Sequence, residues 1–331
     1  MKRRTFITLV GGAAASPLLR PLAARAQQPA LPVIGFLGSE SPALSREPLR
    51  IFRQALGEAD FVENRNVAIE YRWAEGQNDR LPALAAELVA RTVNVIVAPQ
   101  STPAALAAKK ATATIPIVIF TAGDPIALGL VASLDRPGGN VTGMTSLGGE
   151  LAPKRLELLH ELMPNATVVA LLVNPTNPAL AESATKAVRA AAPVLGLNLQ
   201  IVRAEGEGDF EPVFAQLVQS RASALVIAID SFFTGRREQL AALALSHRVA
   251  AIYQYRDFAA AGGVMSYGGS LAEGFRLVGH YTGRILKGEK PAELPMQQAT
   301  KVELVVNIKA AKTLGLEFPA SLLALADEAI E

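Results

Sequence analysis

From residue 32 onward, short apolar runs alternate with longer stretches in which apolar residues recur every three or four positions. Val33-Ile34-Gly35-Phe36-Leu37 is the first run, and polar Gly38-Ser39-Glu40 closes it. Residues 48–59 then place Leu49, Phe52 and Leu56 on one helical face. The same reading predicts strands at 67–71, 93–97, 115–120 and 141–145, with helices at 80–90, 103–113 and 125–134 between them. A second series repeats the scheme. Helices at 154–162, 180–195, 210–221 and 236–247 alternate with strands at 168–173, 199–203, 224–229 and 251–255. Runs such as Val168 to Val173 and Ala224 to Ile229 show no polar alternation, as expected of strands covered on both faces. Strand and helix alternating at this spacing make βαβ crossovers, so the fold class is α/β with two doubly wound lobes in tandem. The tail adds a strand at 263–267, a long helix at 271–286 with Gly288 as its cap, a strand at 301–306 and helices at 308–314 and 320–330. A strand and helix placed after the second series can return the chain to the first lobe.

The first residues change the picture of where the chain works. Arg3-Arg4, then a Gly- and Ala-rich apolar stretch from Thr8 to Leu19, then Ala24-Arg25-Ala26, follow the order of a secretory signal of twin-arginine type. Cleavage is expected after Ala26, giving a periplasmic protein that starts at Gln27. The apolar stretch falls short of the ~20 residues needed to span a bilayer. The whole chain carries 32 basic and 30 acidic residues; removing 1–26 takes away five basic residues and no acid, leaving a net charge of −3. A mildly acidic mature protein gives no support to nucleic-acid binding. The absence of cysteine excludes disulfides, thiolate metal sites, a catalytic thiol and a lipid anchor on a cysteine. About 305 mature residues exceed what one core usually carries.

Ligands of open parallel sheets bind beyond the carboxyl ends of the strands. Those ends are polar and rich in hydroxyls and amides, and they supply the candidate binding residues: Ser39, Gln100, Ser101, Thr102, Asp124, Thr145, Asn174, Asn177, Asp230, Phe232 and Tyr253. Ser101-Thr102-Pro103 looks like a helix start whose free N–H groups suit a carboxylate, with Ser39 adding a hydroxyl. Asp230 can pair with a ligand ammonium, and Phe232 or Tyr253 can cover an apolar side chain. Each position can equally serve as a helix cap.

Catalytic constellations are thin. His160, His247 and His280 lie far apart on amphipathic helices without metal-ligand spacing, and Gly206-Glu207-Gly208-Asp209-Phe210-Glu211 puts an acid where a dinucleotide fingerprint needs its third glycine. No catalytic residue, metal or cofactor is expected, and the chain is read as a non-enzyme.

Several runs carry a resemblance. Ile69 to Gly76, Gly123-Asp124-Pro125, Arg136-Pro137-Gly138-Gly139-Asn140-Val141-Thr142-Gly143, Lys154 to Leu159 and Ala261 to Gly268 resemble the ABC transporter substrate-binding protein family related to tryptophan/tyrosine-binding proteins. The resemblance implies a type I periplasmic binding protein: two Rossmann-like lobes with parallel sheets, hinged by three crossing segments. The expected division is 1–26 signal peptide, 32–143 plus 260–290 as lobe I, and 144–259 plus 291–331 as lobe II. It further implies a monomeric clamp, not inserted in the membrane, that captures a small carboxylate or amino-acid-like ligand. An aromatic amino acid is one candidate. The partners implied are an ABC permease and its ATPase. Gly138-Gly139 and Ala261-Gly262-Gly263 are candidate hinges or ordinary turns. A periplasmic sensing subunit for a receptor kinase, or an exported enzyme, stays open as an alternative.

Overall fold

The computed structural model describes residues 31–146 and 148–331; the export signal expected at 1–26 lies outside them. The chain opens with β1 (Val33–Gly38), α1 (Arg46–Glu58), β2 (Ala68–Trp73), α2 (Leu81–Ala90), β3 (Val95–Pro99), α3 (Thr102–Ala111), β4 (Ile117–Thr121) and β5 (Val141–Thr145). The second series is α4 (Ala152–Leu162), β6 (Val168–Val173), α5 (Pro178–Ala191), β7 (Asn198–Arg203), α6 (Phe210–Gln219), β8 (Ala224–Ile227), α7 (Ser231–Gly235), α8 (Arg237–Ser246), β9 (Ala250–Tyr253), α9 (Arg256–Ala260) and β10 (Met265–Gly268). The tail contributes α10 (Leu271–Leu286), β11 (Gln297–Gln298), β12 (Glu303–Asn307), α11 (Ile308–Thr313), α12 (Ala320–Leu325) and β13 (Glu328–Ile330). Proline within the first two positions of α2, α3, α4 and α5 explains why those helices begin where they do, since its missing N–H has no partner to lose there.

Two sheets result. Lobe I has the strand order β11-β5-β4-β3-β1-β2, parallel throughout, and lobe II has β13-β12-β10-β9-β8-β6-β7, parallel except for β10 against β12. In each lobe the order reverses once, beside β1 and β3 in lobe I and beside β6 and β8 in lobe II. Apolar side chains fill both faces of each sheet, so the central strands are buried along their length.

The chain passes between the lobes three times: between β5 and α4, between β10 and α10, and between β11 and β12. Sheet membership therefore departs from the expected division at two places. Met265–Gly268 pairs inside the lobe II sheet, and Gln297–Gln298 pairs with β5 in lobe I. The candidate hinge glycines at 138–139 and 262–263 precede β5 and β10, and the crossings follow those strands. Helix α10 does return to lobe I, where it lies against α1 so closely that a Cβ on Gly279 would stand 2.7 Å from Phe52 O.

Two helix predictions fail, one for a local reason and one through distant contacts. Residues 125–134 form successive turns, because the N–H groups of Leu130 and Val131 both bond to Pro125 O and Gly129 takes φ +68°. Residues 320–330 divide into α12 and β13. The Asp327 carboxylate accepts from the Leu304 N–H at 2.8 Å and Arg256 grips Glu328 at 2.6 and 2.7 Å, which draws the chain end onto β12.

Candidate functional site

The carboxyl ends of both sheets face one another across a cleft. Three side-chain pairs among the described residues make polar contacts between the lobes. Ser39 Oγ, beyond β1, donates to Ser231 Oγ, beyond β8, at 3.0 Å. Arg236 Nη1 of lobe II meets Glu40 Oε2 of lobe I at 2.5 Å. Asn78 Nδ2 donates to Thr176 Oγ1 at 3.1 Å. The first contact joins the two points at which the strand orders reverse, the position where doubly wound sheets take ligands.

Between the lobes lie two cavities of about 10 and 20 Å³. The first touches Gln100, Thr121, Leu180, Asp230, Ser231 and Tyr255. The second is walled by Phe36, Ser39, Glu40, Trp73, Gln100 and Phe275. Small-molecule pockets usually hold roughly 300–1,000 Å³, so a solute enters only when the lobes part. At the cleft mouth a hollow of 500 Å³ carries Asn78, Asp79 and Pro103 on one side and Thr176 and Glu205 on the other. A larger depression of 630 Å³ runs along α5 and β7 on lobe II and touches none of the expected binding residues. Size alone would select it; the geometry of the strand ends selects the cleft.

Of the expected residues, Ser39, Gln100 and Asp230 line the interlobe space. Gln100 holds φ +61°, a left-handed conformation rare for a residue with a Cβ and frequent at functional positions. Asp230 caps α7 and is already engaged. Its Oδ1 accepts from Asn174 Nδ2 at 3.0 Å and from the Phe232 N–H at 2.9 Å, and its Oδ2 accepts from Asn177 Nδ2 at 2.7 Å. Burial pushes the Asp230 carboxyl above the usual carboxylate range, against the pull of these donors. Asn174 and Asn177 thus serve the carboxylate first.

The other expected residues are occupied in their own lobes. Ser101 accepts from the Ala104 N–H at 3.2 Å, and the Thr102 and Thr121 hydroxyls stand 2.8 Å apart. Thr145 Oγ1 donates to Gly123 O at 3.0 Å, and exposed Asp124 caps a turn through the Ile126 N–H at 2.8 Å. Phe232 packs with Phe210 and Phe233 and carries the Arg236 guanidinium 4.1 Å above its ring. Tyr253 is still inside β9 and stacks on Phe258 at 4.6 Å within lobe II; Tyr255, past the strand end, reaches the cleft.

Glu40, Ser231 and Tyr255 also sit at strand ends but are not among the expected binding residues, and neither are Trp73 and Arg236. Trp73 ends β2, leans on Phe36 at 5.2 Å and stacks on Tyr71 at 5.9 Å, so its place at a strand end was a usable signal. Arg236 has no such signal, because its partner Glu40 stands 196 positions away. Burial raises the Glu40 carboxyl above its usual range; Arg236 opposes this, while Asp230 and Glu207 add to it.

The sequence profile described as ABC transporter substrate binding protein matches residues 40–330. The chain belongs to that family. It is 33% identical over 135 residues to a tyrosine-binding protein of Clostridioides difficile strain R20291, a match covering 41% of this chain and 38% of that relative. Its fold is similar to a conserved domain protein from Vibrio cholerae O1 biovar El Tor strain N16961, with TM-score 0.81 and 25% identity over 90% of this chain and 99% of the other. An ABC domain from Streptococcus pneumoniae in complex with L-Trp superposes with TM-score 0.78 and 24% identity, over 91% of this chain and all of the other. No helix among the described residues is long and apolar enough to cross a membrane.

Proposed function

We propose that this family member is the solute-capturing component of an ABC importer. It is exported with a cleaved twin-arginine signal, works as a periplasmic monomer and presents its loaded, closed form to a membrane permease. The ATPase bound to that permease then drives release. The observation that carries this reading is the Ser39–Ser231 contact, which sets the reversal points of the two sheets face to face. Closure of such a clamp needs no chemistry. A ligand that touches both rims favours the closed form by its differential affinity for the two states.

The captured solute is a small carboxylate or amino-acid-like molecule, an aromatic one above all. Phe36, Trp73 and Phe275 offer an apolar wall, and Ser39, Gln100, Ser231 and Asp230 supply polar groups on both sides. Tyrosine and tryptophan binding among the relatives supports this class. The test is a thermal-shift panel of L-tryptophan, L-tyrosine, benzoate and other small acids on the purified protein. Saturating ligand at 100 times Kd stabilises a folded protein by about 2.7 kcal/mol. At least one carboxylate is expected to raise Tm clearly; stabilisation by uncharged solutes alone would exclude the carboxylate class.

A further inference from the structure

Arg155 lies in the first turn of α4, just past the first crossing, and is the largest fully buried side chain among the described residues. Its Nε donates to Tyr267 O at 2.8 Å and its Nη2 to Gly148 O at 3.0 Å. Its Nη1 is buried with no hydrogen-bond partner, and the guanidinium makes no ion pair among the described residues. Burial lowers its pKa to about 10, so it remains cationic at neutral pH. A guanidinium offers five N–H donors in a fork that matches a carboxylate. A buried charge left without a counter-ion costs several kcal/mol.

A second orphan lies beside it. Ser146 Oγ is buried and unpartnered among the described residues. The Tyr255 hydroxyl faces it without closing a hydrogen bond of good geometry, and Tyr255 feels the Arg155 charge. Tyr255 borders the cleft, and the other two lie buried behind it. A Cβ placed on Gly148 would stand 2.5 Å from Ile229 Cδ1, 3.2 Å from Ser146 Oγ and 3.8 Å from Arg155 Nη2. Ile229 and Tyr255 both line the smaller interlobe cavity. The 11-residue helix α4 adds the positive end of its dipole at the same place. By contrast, the hydroxyls at the start of α3 are already committed, Ser101 to Ala104 N and Thr102 to Thr121.

We propose that Arg155 Nη1, Ser146 Oγ and the Tyr255 hydroxyl form a buried anion subsite at the cleft floor that takes the carboxylate of the captured solute. The proposal rests on reading the chain as a solute clamp and moves the carboxylate from the start of α3 to the start of α4. Because Arg155 also holds Gly148 in the first crossing and Tyr267 next to the second, a carboxylate bound there bears directly on the segments that bend.

The experiment is calorimetric titration of L-tryptophan, L-tyrosine and benzoate, each beside its carboxamide, into the purified protein and its variants. The unaltered protein is expected to prefer a carboxylate over its amide by about 100-fold, the range for a buried charge pair that loses one partner. Arg155→Met should abolish that preference, with the acid losing far more affinity than its amide; Arg155→Lys should restore part of it. Ser146→Ala, a smaller change, should weaken the carboxylate about fivefold and narrow its preference over the amide. The preference in the unaltered protein needs no variant, so loss of folding in Arg155→Met leaves two readouts. Equal binding of acid and amide, or a preference that survives Arg155→Met and Ser146→Ala, overturns the subsite and leaves the clamp standing. Failure of every carboxylate in the panel to bind overturns the carboxylate reading of the clamp and the subsite with it.

Discussion

Arg236→Met tests whether the lobes are latched by charge. Arg236 and Glu40 meet at 2.5 Å with side chains only 11% and 9% exposed, and Arg236 also bonds Glu207, whose side chain is 57% exposed. Two unit charges 4 Å apart attract by about 4 kcal/mol at an effective dielectric of 20, but burial takes much of that back. For Glu40 burial wins, since its carboxyl is held above its ordinary range despite Arg236. Removing the cation leaves an uncompensated carboxylate beside Asp230 and Glu207, at a cost of about 3–5 kcal/mol for a fully buried charge. Glu40 escapes part of that cost by taking a proton and the rest by opening into water. We expect about 2–3 kcal/mol to appear as opening, which lowers the closed-to-open ratio roughly 30- to 160-fold at 1.36 kcal/mol per decade.

Glu40→Gln should behave differently. It removes the group whose charge is disfavoured in the closed form and keeps an oxygen that Arg236 can bond, so the lobes should stay closed. The chain has no cysteine, so Val62→Cys with Val194→Cys gives one labelled pair, one label on each lobe, for single-molecule energy transfer. A closed-state population unchanged by Arg236→Met would refute the argument. So would Glu40→Gln opening the clamp as far as Arg236→Met does, because direct attraction would then outweigh burial.

Three further outcomes are expected. In the closed form Glu40 binds its proton more tightly than in water, so closure should strengthen as pH falls from neutral toward 4.5 and lose that contribution as pH rises through the raised pKa; the same labelled pair measures it, and Glu40→Gln should flatten the response. Asp230→Asn sets an amide N–H₂ against those of Asn174 and Asn177 and should cost about 1–3 kcal/mol in a denaturant melt, with amino-acid affinity falling more than about tenfold by calorimetry; unchanged affinity would remove Asp230 from the site. Gly268→Ala, whose Cβ would fall 1.9 Å from Gln254 O beside the second crossing, should lower Tm and alter the closed population together, whereas Gly208→Ala, with open space around it, should do neither.

The lobes were legible because buried parallel strands must be continuous apolar runs, and β3, β4, β6 and β8 are such runs. Where a segment's structure depends on distant partners, local pattern misled. Residues 320–330 have helical spacing, yet Asp327 and Glu328 are claimed by Leu304 and Arg256. The site divides in the same way. Ser39, Gln100 and Asp230 follow strand ends and could be read from the order of elements. Tyr253 sits inside β9 and stacks on Phe258 within lobe II, while Tyr255, past the strand end, reaches the cleft. Glu40–Arg236 and Ser39–Ser231 span 196 and 192 positions, and no local period encodes a pair across two lobes. Arg155 lay within one of the family-like runs, but nothing in the local pattern marked it as buried, and a basic residue on a helix reads as solvated until its burial is seen.

The polar character of the cleft bears on how the clamp works. The polar contacts that join its rims among the described residues are hydrogen bonds and an ion pair, all of which exchange for water on opening. Each hydrogen bond contributes about 1 kcal/mol net, and a buried pair whose acid is burdened by desolvation contributes little more. Apolar surface also meets across the cleft, as where Leu180 packs at Gly123, and at ~25 cal/mol per Å² a few hundred Å² of it would hold the lobes shut with or without a solute. A cleft balanced to within a few kcal/mol can instead be tipped by one ligand, because reversing a 1:99 population takes about 5.5 kcal/mol of differential affinity. A carboxylate that satisfies Arg155 in the closed form with a 100-fold preference supplies about half of that, and it acts next to two of the three segments that cross between the lobes.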